Sequence, residues 1–147
     1  MDINTIKKVR EETSAGISDV KRALEESKGD PKKAKELLKE WGVAKAAKKG
    51  DRETTVGLVE AYIHGGRVGA LLSLGCETDF VARTPEFKAL AHEVAMQIAS
   101  MKPKTTEDLL KQPYIRDPKV TIEDLIKETI AKVGENIKVV AFTRQSF

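Results

Sequence analysis

The stretch Val56–Gly75, which reads VGLVEAYIHGGRVGALLSLG, decides the fold of this chain. Both of its halves are rich in β-branched and aliphatic residues, and Gly65 and Gly66 between them accept the positive φ of a tight turn. The second half is apolar at every other position, namely at Val68, Ala70, Leu72 and Leu74. Because side chains alternate across a strand, those four lie on one face. The stretch therefore predicts a β-hairpin, with strands Val56–Ile63 and Val68–Gly75, that buries one side.

Helices and one more strand follow the hairpin. A cap and a first-turn proline, Thr84 and Pro85, begin a long helix with the strongest apolar stripe in the chain. That stripe consists of Phe87, Leu90, Ala91, Val94, Ala95 and Ile98. We expect a short helix from Thr106, a helix over Ile122–Val133 and a third strand over Ile137–Arg144. This order predicts an α+β domain, in which helices pack on one face of a small antiparallel three-stranded sheet.

The first forty residues carry three short apolar stripes at helical spacing, which predict three helices. Gly16 is available for a left-handed cap at the end of the first helix, and Ser18 can cap the start of the second. Asp30 and Pro31 provide an N-cap and a first-turn proline for the third, and Gly42 is predicted to end it. We expect a small three-helix bundle, ubiquitin-associated-domain-like, with a narrow shared core.

These patterns divide the chain into three segments. They are an N-terminal three-helix module of residues 1–42, a linker of residues 43–55 and an α+β core domain of residues 56–147. The boundary lies where the apolar periodicity is lost in a run of alanine, lysine and other charged residues. That run is either a frayed helical extension or a tether, and both interpretations stay open.

Composition excludes several classes of protein. The 147 residues are 40% hydrophobic, which is enough for a folded core. No stretch approaches the roughly 18 consecutive apolar residues of a membrane span, and the N-terminus lacks the basic-then-apolar order of a signal peptide. Cys76 is the single cysteine, so neither an intrachain disulfide nor a cysteine-based metal cage can form. We therefore expect a cytoplasmic protein with no membrane partner.

Positive charge is concentrated in the N-terminal third. Residues 1–50 carry 13 lysines and arginines against 9 acidic residues, while the whole chain has a net charge of only +3. A basic third is compatible with a ribosome- or RNA-associated protein, because phosphate contacts need clustered lysine and arginine. The basic residues alternate with acidic ones, however, and aromatics make up only 5% of the chain, a pattern typical of solvated helix faces. We keep RNA association as the alternative function and expect no direct contact with nucleic acid.

The residues do not assemble into a catalytic site. Cys76 and His64 on the predicted hairpin would lie roughly 30 Å apart, at about 3.3 Å per residue, so they cannot form a nucleophile and base pair. His92 has no partner at metal-ligand spacing. The sequence also lacks a glycine-rich phosphate loop, a zinc pattern and a serine-hydrolase elbow. It therefore indicates a binding protein and not an enzyme, with no metal or cofactor of its own.

Phe80 lies in the predicted loop Cys76–Arg83, between the second strand and the long helix. A large apolar ring at a strand-to-helix junction either fills the local core or projects outward as a binding anchor on a rigid loop. The residues alone leave both alternatives open.

Four ordered motifs resemble those of the translation elongation factor Ts family, and together they span nearly the whole chain. They are Val9–Leu24, Gly65–Leu72 followed by Cys76–Arg83, Ala95–Ala99, and Val133–Ile137. The resemblance implies a guanine-nucleotide exchange factor that binds elongation factor Tu in its GDP form. It implies that GDP release is promoted by disturbing the Mg²⁺ and nucleotide site of that partner.

The same resemblance assigns the partner-binding residues. In the core domain these are Thr78, Asp79, Phe80 and Val81, of which Asp79 and Phe80 are nearest the Mg²⁺ and nucleotide site. In the N-terminal module the assigned residues are Arg10, Thr13 and Gly16.

The chain also departs from the family pattern. Ser14 stands where the family favours glycine, and Ala141 precedes Phe142 where an arginine is usual. The chain is a short form with a single core unit, whereas long members have two related halves, a helical excursion and a C-terminal module. Because a three-stranded sheet covered on one face leaves the other exposed, we expect a second copy to cover it in a homodimer.

Overall fold

The computed structural model describes residues 2–147, and it falls into two units. The first unit ends at Lys45 and the second is Ala46–Phe147. No helix within residues 2–147 combines the length and the apolar character that crossing a membrane requires.

The first unit is built from helices, as predicted. They are α1 (Ile3–Thr13), α2 (Ile17–Glu26) and the greater part of α3 (Pro31–Ala47). Their shared core is small, and its buried members are Val9, Val20, Ala23, Leu24, Ala34 and Leu38. Because so few side chains are buried, the hydrophobic contribution to the stability of this unit is modest.

The turn between α1 and α2 differs from the prediction. Ser14, and not Gly16, adopts the left-handed conformation with a φ of 56°, and its backbone N–H donates to Arg10 O at 2.8 Å. Gly16 is extended, with φ −63° and ψ 148°, and it is the N-cap of α2 in place of Ser18. The cap predictions for Gly16 and Ser18 are therefore wrong, because the chain leaves α1 two residues earlier than expected. The left-handed φ of Ser14 also falls at the position where the family resemblance favours glycine.

Helix α3 begins as predicted and ends later than predicted. The Asp30 carboxylate accepts from Lys32 N at 2.9 Å, which confirms the N-cap. Gly42 does not end the helix, because α3 continues past it for another five residues. A glycine inside a helix costs only about 1 kcal/mol, and the alanines that follow are the best helix formers. The helical extension is therefore observed for residues 43–47, and the role of residues 43–55 as a linker stays a prediction.

The second unit combines a three-stranded sheet with helices. In chain order its elements are β1 (Val56–His64), β2 (Val68–Cys76), α4 (Asp79–Ala82), α5 (Pro85–Met101), α6 (Thr106–Lys111), β3 (Pro113–Tyr114), β4 (Asp117–Thr121), α7 (Ile122–Val133) and β5 (Lys138–Ser146). The main sheet has the order β1-β2-β5 and is antiparallel throughout. A separate two-stranded sheet consists of β3 and β4. The predicted α+β class is confirmed.

The hairpin has the predicted turn and the predicted buried side. Gly65 and Gly66 have φ values of 58° and 68°, and His64 pairs with Val68 across the turn. Of the four predicted inward positions of β2, Ala70, Leu72 and Leu74 are buried, and Val68 beside the turn is half-buried. The alternation along this strand is therefore enough to specify its register, because a slip of one residue would expose all three.

Helix α5 covers the inner face of the sheet. The predicted stripe is buried along its whole length, at Phe87, Leu90, Ala91, Val94, Ala95 and Ile98. Thr84 caps the helix by accepting from Phe87 N at 3.3 Å. Helix α7 packs against α5; it starts at a capping box of Thr121 and Asp124 and ends at the left-handed Gly134, with φ 78°.

The sequence pattern does not predict the β3–β4 pair, and its position is set by a buried side chain of α5. Gln97 is fully buried and donates to Pro113 O at 3.1 Å, while Ile115 N donates to Gln97 Oε1 at 3.1 Å. A buried amide holds the backbone here in place of an apolar stripe. Such a contact leaves no periodic signal in the sequence.

Candidate partner-binding site

The candidate site is the corner between β2 and α5, residues 76–83, which we call the α4 corner. Cys76 ends β2, and Thr78 is the N-cap of α4, where its hydroxyl accepts from Val81 N at 3.3 Å. Thr84, the next cap, donates its hydroxyl to Val81 O at 2.7 Å. The sequence predicts a loop here, and the short helix corrects that prediction. The hydroxyls of Thr78 and Thr84 both bond to the backbone of Val81, and these bonds stabilise one helical turn between the two threonines.

The short helix divides its side chains between core and solvent. Val81 and Ala82 are buried, with 4% and 6% of their surface exposed, whereas Phe80 is 75% exposed. Asp79 and Thr78 are also exposed. The core-filling alternative for Phe80 is therefore wrong. An exposed aromatic ring on a turn whose other side is buried has the form of a contact residue.

The α4 corner is tied to the turn between α7 and β5. The Glu135 carboxylate accepts twice from Thr78, from its backbone N at 3.0 Å and from its hydroxyl at 2.8 Å. Glu77 makes the reciprocal link, because its carboxylate accepts from Asn136 N at 2.9 Å. These charge-assisted hydrogen bonds join segments that are 57 and 59 residues apart in the chain.

Asn136 extends this network to the segment before β1. Its side chain is buried, and its amide donates to Arg52 O at 2.7 Å and to Gly50 O at 3.3 Å. The Arg52 guanidinium lies 3.6 Å from the Glu77 carboxylate. The segment before β1, the α7–β5 turn and the α4 corner therefore form one polar network, and a satisfied network of this kind makes a structure rigid.

The thiol of Cys76 lies inside the corner. Burial raises its pKa, and the carboxylates of Glu135 and Asp79 raise it further. The thiol therefore stays protonated at neutral pH, and it donates to Thr78 O at 3.2 Å. A protonated, buried thiol is inert as a nucleophile, and this one contributes only packing and a hydrogen bond to the backbone of the corner.

Comparison with known proteins identifies the family. A family model described as Elongation factor TS matches residues 77–146, from the α4 corner to the end of β5. An elongation factor Ts from Carboxydothermus hydrogenoformans is 43% identical over 185 residues, covering 95% of this chain and 85% of that protein. One from Rubrobacter xylanophilus is 42% identical over 188 residues, covering 97% of this chain and 96% of that protein. The chain belongs to the elongation factor Ts family.

The alignments also bear on the length of this elongation factor Ts family member. The alignment with the Carboxydothermus protein runs over 185 residues, whereas this chain has 147. The Coprothermobacter proteolyticus elongation factor Ts, 43% identical, likewise aligns over 185 residues and covers 95% of this chain and 94% of that protein. These relatives therefore contain residues that have no counterpart here, in agreement with a short form.

The second group of predicted binding residues lies at the α1–α2 turn of the first unit. Arg10 and Gly16 are exposed. Thr13 is half-buried, and its hydroxyl donates to Val9 O at 2.7 Å. Arg10 and Thr13 lie in the last turn of α1 and Gly16 is the N-cap of α2, so the three are neighbours because they are close in sequence. The described hydrogen bonds that shape this turn join residues close in sequence, in contrast to those of the α4 corner.

Sequence reasoning missed the two residues that hold the α4 corner. Glu135 and Asn136 belong to the motif Val133–Ile137, which resembles the family pattern, but the motif itself does not point to partners near residue 77. The only indication in the sequence is that both side chains are polar. Polar side chains between a capped helix and a buried strand must find hydrogen-bond partners somewhere in the fold.

The histidines and the cysteine do not form a reaction centre. His92 Nδ1 lies 3.9 Å from a Glu60 carboxylate oxygen, and His64 Nδ1 lies 3.2 Å from the Tyr62 hydroxyl. Cys76 is in the hydrophobic core. Across residues 2–147, no group of three or more His, Cys, Asp and Glu side chains is placed to hold a metal ion.

The outer face of the sheet is a second surface with exposed apolar side chains. Val59 and Ile63 on β1, Leu71 on β2 and Val140 on β5 are each between 50% and 72% exposed. Val140 is the extra residue of a β-bulge in the β2–β5 pairing. An apolar patch that crosses three neighbouring strands is typical of an interaction surface.

Proposed function

We propose that this member of the elongation factor Ts family is a guanine-nucleotide exchange factor and not an enzyme. It binds elongation factor Tu in its GDP form, in the cytoplasm, and promotes the release of GDP. The observation that carries the proposal is Phe80, an exposed ring on a turn that is held at both ends. A rigid aromatic residue is a good binding anchor because little conformational entropy is lost when it is buried.

Exchange of this kind requires no covalent step. A protein that binds the nucleotide-free form of elongation factor Tu more tightly than the GDP form must, by reciprocity, weaken GDP binding by the same factor. The contacts of this chain therefore need to fit a displaced arrangement of the nucleotide pocket better than its resting arrangement. Side chains that reach the pocket are sufficient for this purpose.

Phe80 is the residue that reaches the pocket, entering a cleft beside the Mg²⁺ site. Burial of the ring stabilises the displaced arrangement by roughly 2 kcal/mol, which corresponds to about 30-fold in GDP affinity. Mg²⁺ bridges phosphate oxygens and protein ligands, so a disturbance of its surroundings lowers the affinity for the nucleotide. Asp79 positions the turn or competes electrostatically near the metal, and the exposed Thr78 adds to the contact. The family resemblance also assigns Val81 to this segment, but Val81 is buried and supports the turn from the core side.

The α1–α2 turn provides a second contact with the nucleotide-binding domain of the partner. Arg10, Thr13 and Gly16 are its contact residues. The end of a helix presents free backbone groups, and Gly16 allows a partner to approach closely. A Cβ atom at this position would have only Asp19 Oδ2 nearby, at 3.9 Å, so the space beside it is open.

The alternative is a ribosome- or RNA-associated protein that uses the basic first unit. Acidic side chains neutralise part of this charge, since Lys35 pairs with Glu12 and Lys45 lies 2.6 Å from Asp19. A salt titration separates the two functions. Binding to RNA through several lysines weakens steeply with salt, whereas an anchor-in-cleft contact with a protein depends on salt much less.

The direct test is GDP release from purified elongation factor Tu, measured with a fluorescent GDP analogue in the presence of increasing amounts of this protein. We expect the release rate to rise with concentration and then to saturate. No acceleration at saturating concentration would overturn the proposed function. RNA binding that is strong at low salt and lost at moderate salt would support the alternative.

A homodimer is the second part of the proposal, with the outer sheet face as its interface. The face is apolar, and the relatives have residues that this chain lacks. A two-fold interface uses the same patch on both copies, so an apolar patch on one copy meets an apolar patch on the other.

Sedimentation tests the dimer. We expect a species of twice the 16.2 kDa chain mass at micromolar concentration. Leu71→Lys should convert it to a monomer, because a charge at the centre of an apolar interface is left without a partner. Lys119→Glu, an exposed change on β4, is the control and should leave the dimer intact. A single species of 16.2 kDa in the unmodified protein would contradict the proposal.

A further inference from the structure

Glu135 contacts the α4 corner without belonging to it. Its two carboxylate oxygens accept the backbone N–H and the hydroxyl of Thr78, two residues before the exposed ring of Phe80. We propose that Glu135 is a positioning residue for nucleotide exchange: by holding Thr78, it fixes the direction in which the Phe80 ring leaves the molecule. The inference rests on the proposed function of Phe80.

The first reason is the length of α4. The helix has four residues, and its backbone bonds are few, such as Ala82 N to Thr78 O at 3.2 Å and Arg83 N to Asp79 O at 3.3 Å. A single helical turn is unstable alone, because the cost of nucleation exceeds the gain from so few bonds. Contacts from outside the helix must therefore determine its direction.

The second reason is the number of bonds that converge on Thr78. Glu135 takes both of its donors, and its carbonyl oxygen accepts from the Cys76 thiol at 3.2 Å and from Ala82 N at 3.2 Å. Its hydroxyl oxygen also accepts from Val81 N at 3.3 Å. Every polar group of this one residue is engaged, and Glu135 is the partner that comes from another part of the chain.

The two ends of α4 are held by different means. Beyond Phe80, Val81 and Ala82 are buried in the core, so apolar packing holds that end. Before Phe80, Thr78 is exposed and depends on hydrogen bonds. Without the Glu135 carboxylate, the first end is held only by bonds within the corner and by the bond between Glu77 and Asn136, while the second end stays packed in the core. The ring then samples several directions, and only a fraction of the molecules presents it correctly, which lowers the apparent affinity by that fraction.

A parallel bond limits the size of the effect. Glu77 still accepts from Asn136 N at 2.9 Å when Glu135 is changed, so the α4 corner stays attached to the α7–β5 turn. We therefore expect Glu135→Ala to remain folded and to lower the efficiency of stimulated GDP release about fivefold. The variant loses both bonds from Thr78 to the α7–β5 turn and keeps the bond between Glu77 and Asn136.

The test is a double-mutant cycle on the full chain with purified elongation factor Tu and labelled GDP. The release rate is measured at subsaturating and at saturating concentrations for the unmodified protein, Glu135→Ala, Phe80→Ala and the double variant. Glu135→Ala should lower the rate about fivefold when Phe80 is present and less than about twofold when it is absent, because the direction of a missing ring has no effect. A residue that contacted the partner directly would show the same loss in both backgrounds.

Two further variants complete the experiment. Glu135→Gln keeps one acceptor oxygen and the side-chain volume, so its efficiency should lie between those of the unmodified protein and Glu135→Ala. It replaces Glu135→Ala in the cycle if the alanine variant fails to fold. The matched control is Glu128→Ala on α7, which removes a carboxylate 3.9 Å from Lys132 and should exchange like the unmodified protein.

The outcomes separate this inference from the proposed function. Equal losses in the two backgrounds, or normal exchange by Glu135→Ala, would overturn the positioning role while leaving the function of Phe80 intact. Normal exchange by Phe80→Ala would overturn the anchor itself, and the positioning role with it.

Discussion

The α4 corner and the α1–α2 turn are both short connections with predicted binding residues, and they are held in different ways. At the corner, Thr78 bonds to Glu135 and Glu77 bonds to Asn136, across 57 and 59 residues of sequence. In the turn, the Thr13 hydroxyl bonds to Val9 O, four residues away. The corner can therefore keep its geometry only within the complete fold of its unit, whereas local bonds suffice for much of the turn.

This difference predicts different responses to substitution. Long-range bonds fix the direction of the exposed side chain at the corner. Neighbouring residues cannot take over its role when it is removed. A turn made of local bonds adapts more easily, because neighbouring residues can re-form similar bonds. We therefore expect single substitutions to have large effects on exchange at the corner and small ones at the turn.

The largest effect is expected for Phe80→Ala. The ring is exposed, so the free energy of unfolding should change by less than about 0.5 kcal/mol. Stimulated GDP release should fall by about tenfold or more, because the anchor is lost. Thermal unfolding and the release assay measure the two quantities on the same sample.

Phe87→Ala is the matched control for that prediction. The Phe87 ring is fully buried in α5, so its removal should cost about 3–5 kcal/mol of stability. Any molecules that stay folded should still stimulate GDP release. A Phe80→Ala protein that is strongly destabilised but exchanges normally when folded would reverse the assignment of the two rings.

A smaller effect is expected when the first unit is removed. A chain that starts at Ala46 keeps the complete second unit and should retain its folded circular dichroism and a cooperative urea transition. Its affinity for elongation factor Tu should fall by about tenfold, because the second contact is lost. An unchanged affinity would mean that the α1–α2 turn does not contact the partner.

The smallest effect is expected for Ser14→Gly. Ser14 has a φ of 56°, a conformation that is unfavourable for residues with a Cβ atom, so glycine should stabilise the first unit by about 0.5 kcal/mol after its greater unfolded-state entropy is counted. GDP release should stay within about twofold. Urea unfolding checks the stability, and Gly16→Ala is the contrast, because the extended Gly16 gains nothing from lacking a side chain. A destabilised Ser14→Gly protein would contradict the left-handed cap.

Prediction from the sequence succeeded where a residue is governed by its neighbours in the chain. The hairpin turn at Gly65 and Gly66 and the span Ile122–Val133 agree with the structure, because periodicity and caps act within a few residues. It failed at Gly42, where a single unfavourable residue was outweighed by the helix formers around it.

The helices of the first unit, the register of the β1–β2 hairpin and the buried stripe of α5 were thus already determined by local chemistry. Only the tertiary structure decided that Phe80 faces solvent, because the alternatives for a ring at a strand-to-helix junction are equally compatible with the residues on either side. The same holds for the pairing of Glu135 with Thr78. These two residues are 57 positions apart, and their hydrogen bond forms only because the sheet and α7 bring them together. A pattern of neighbouring residues cannot predict such a contact.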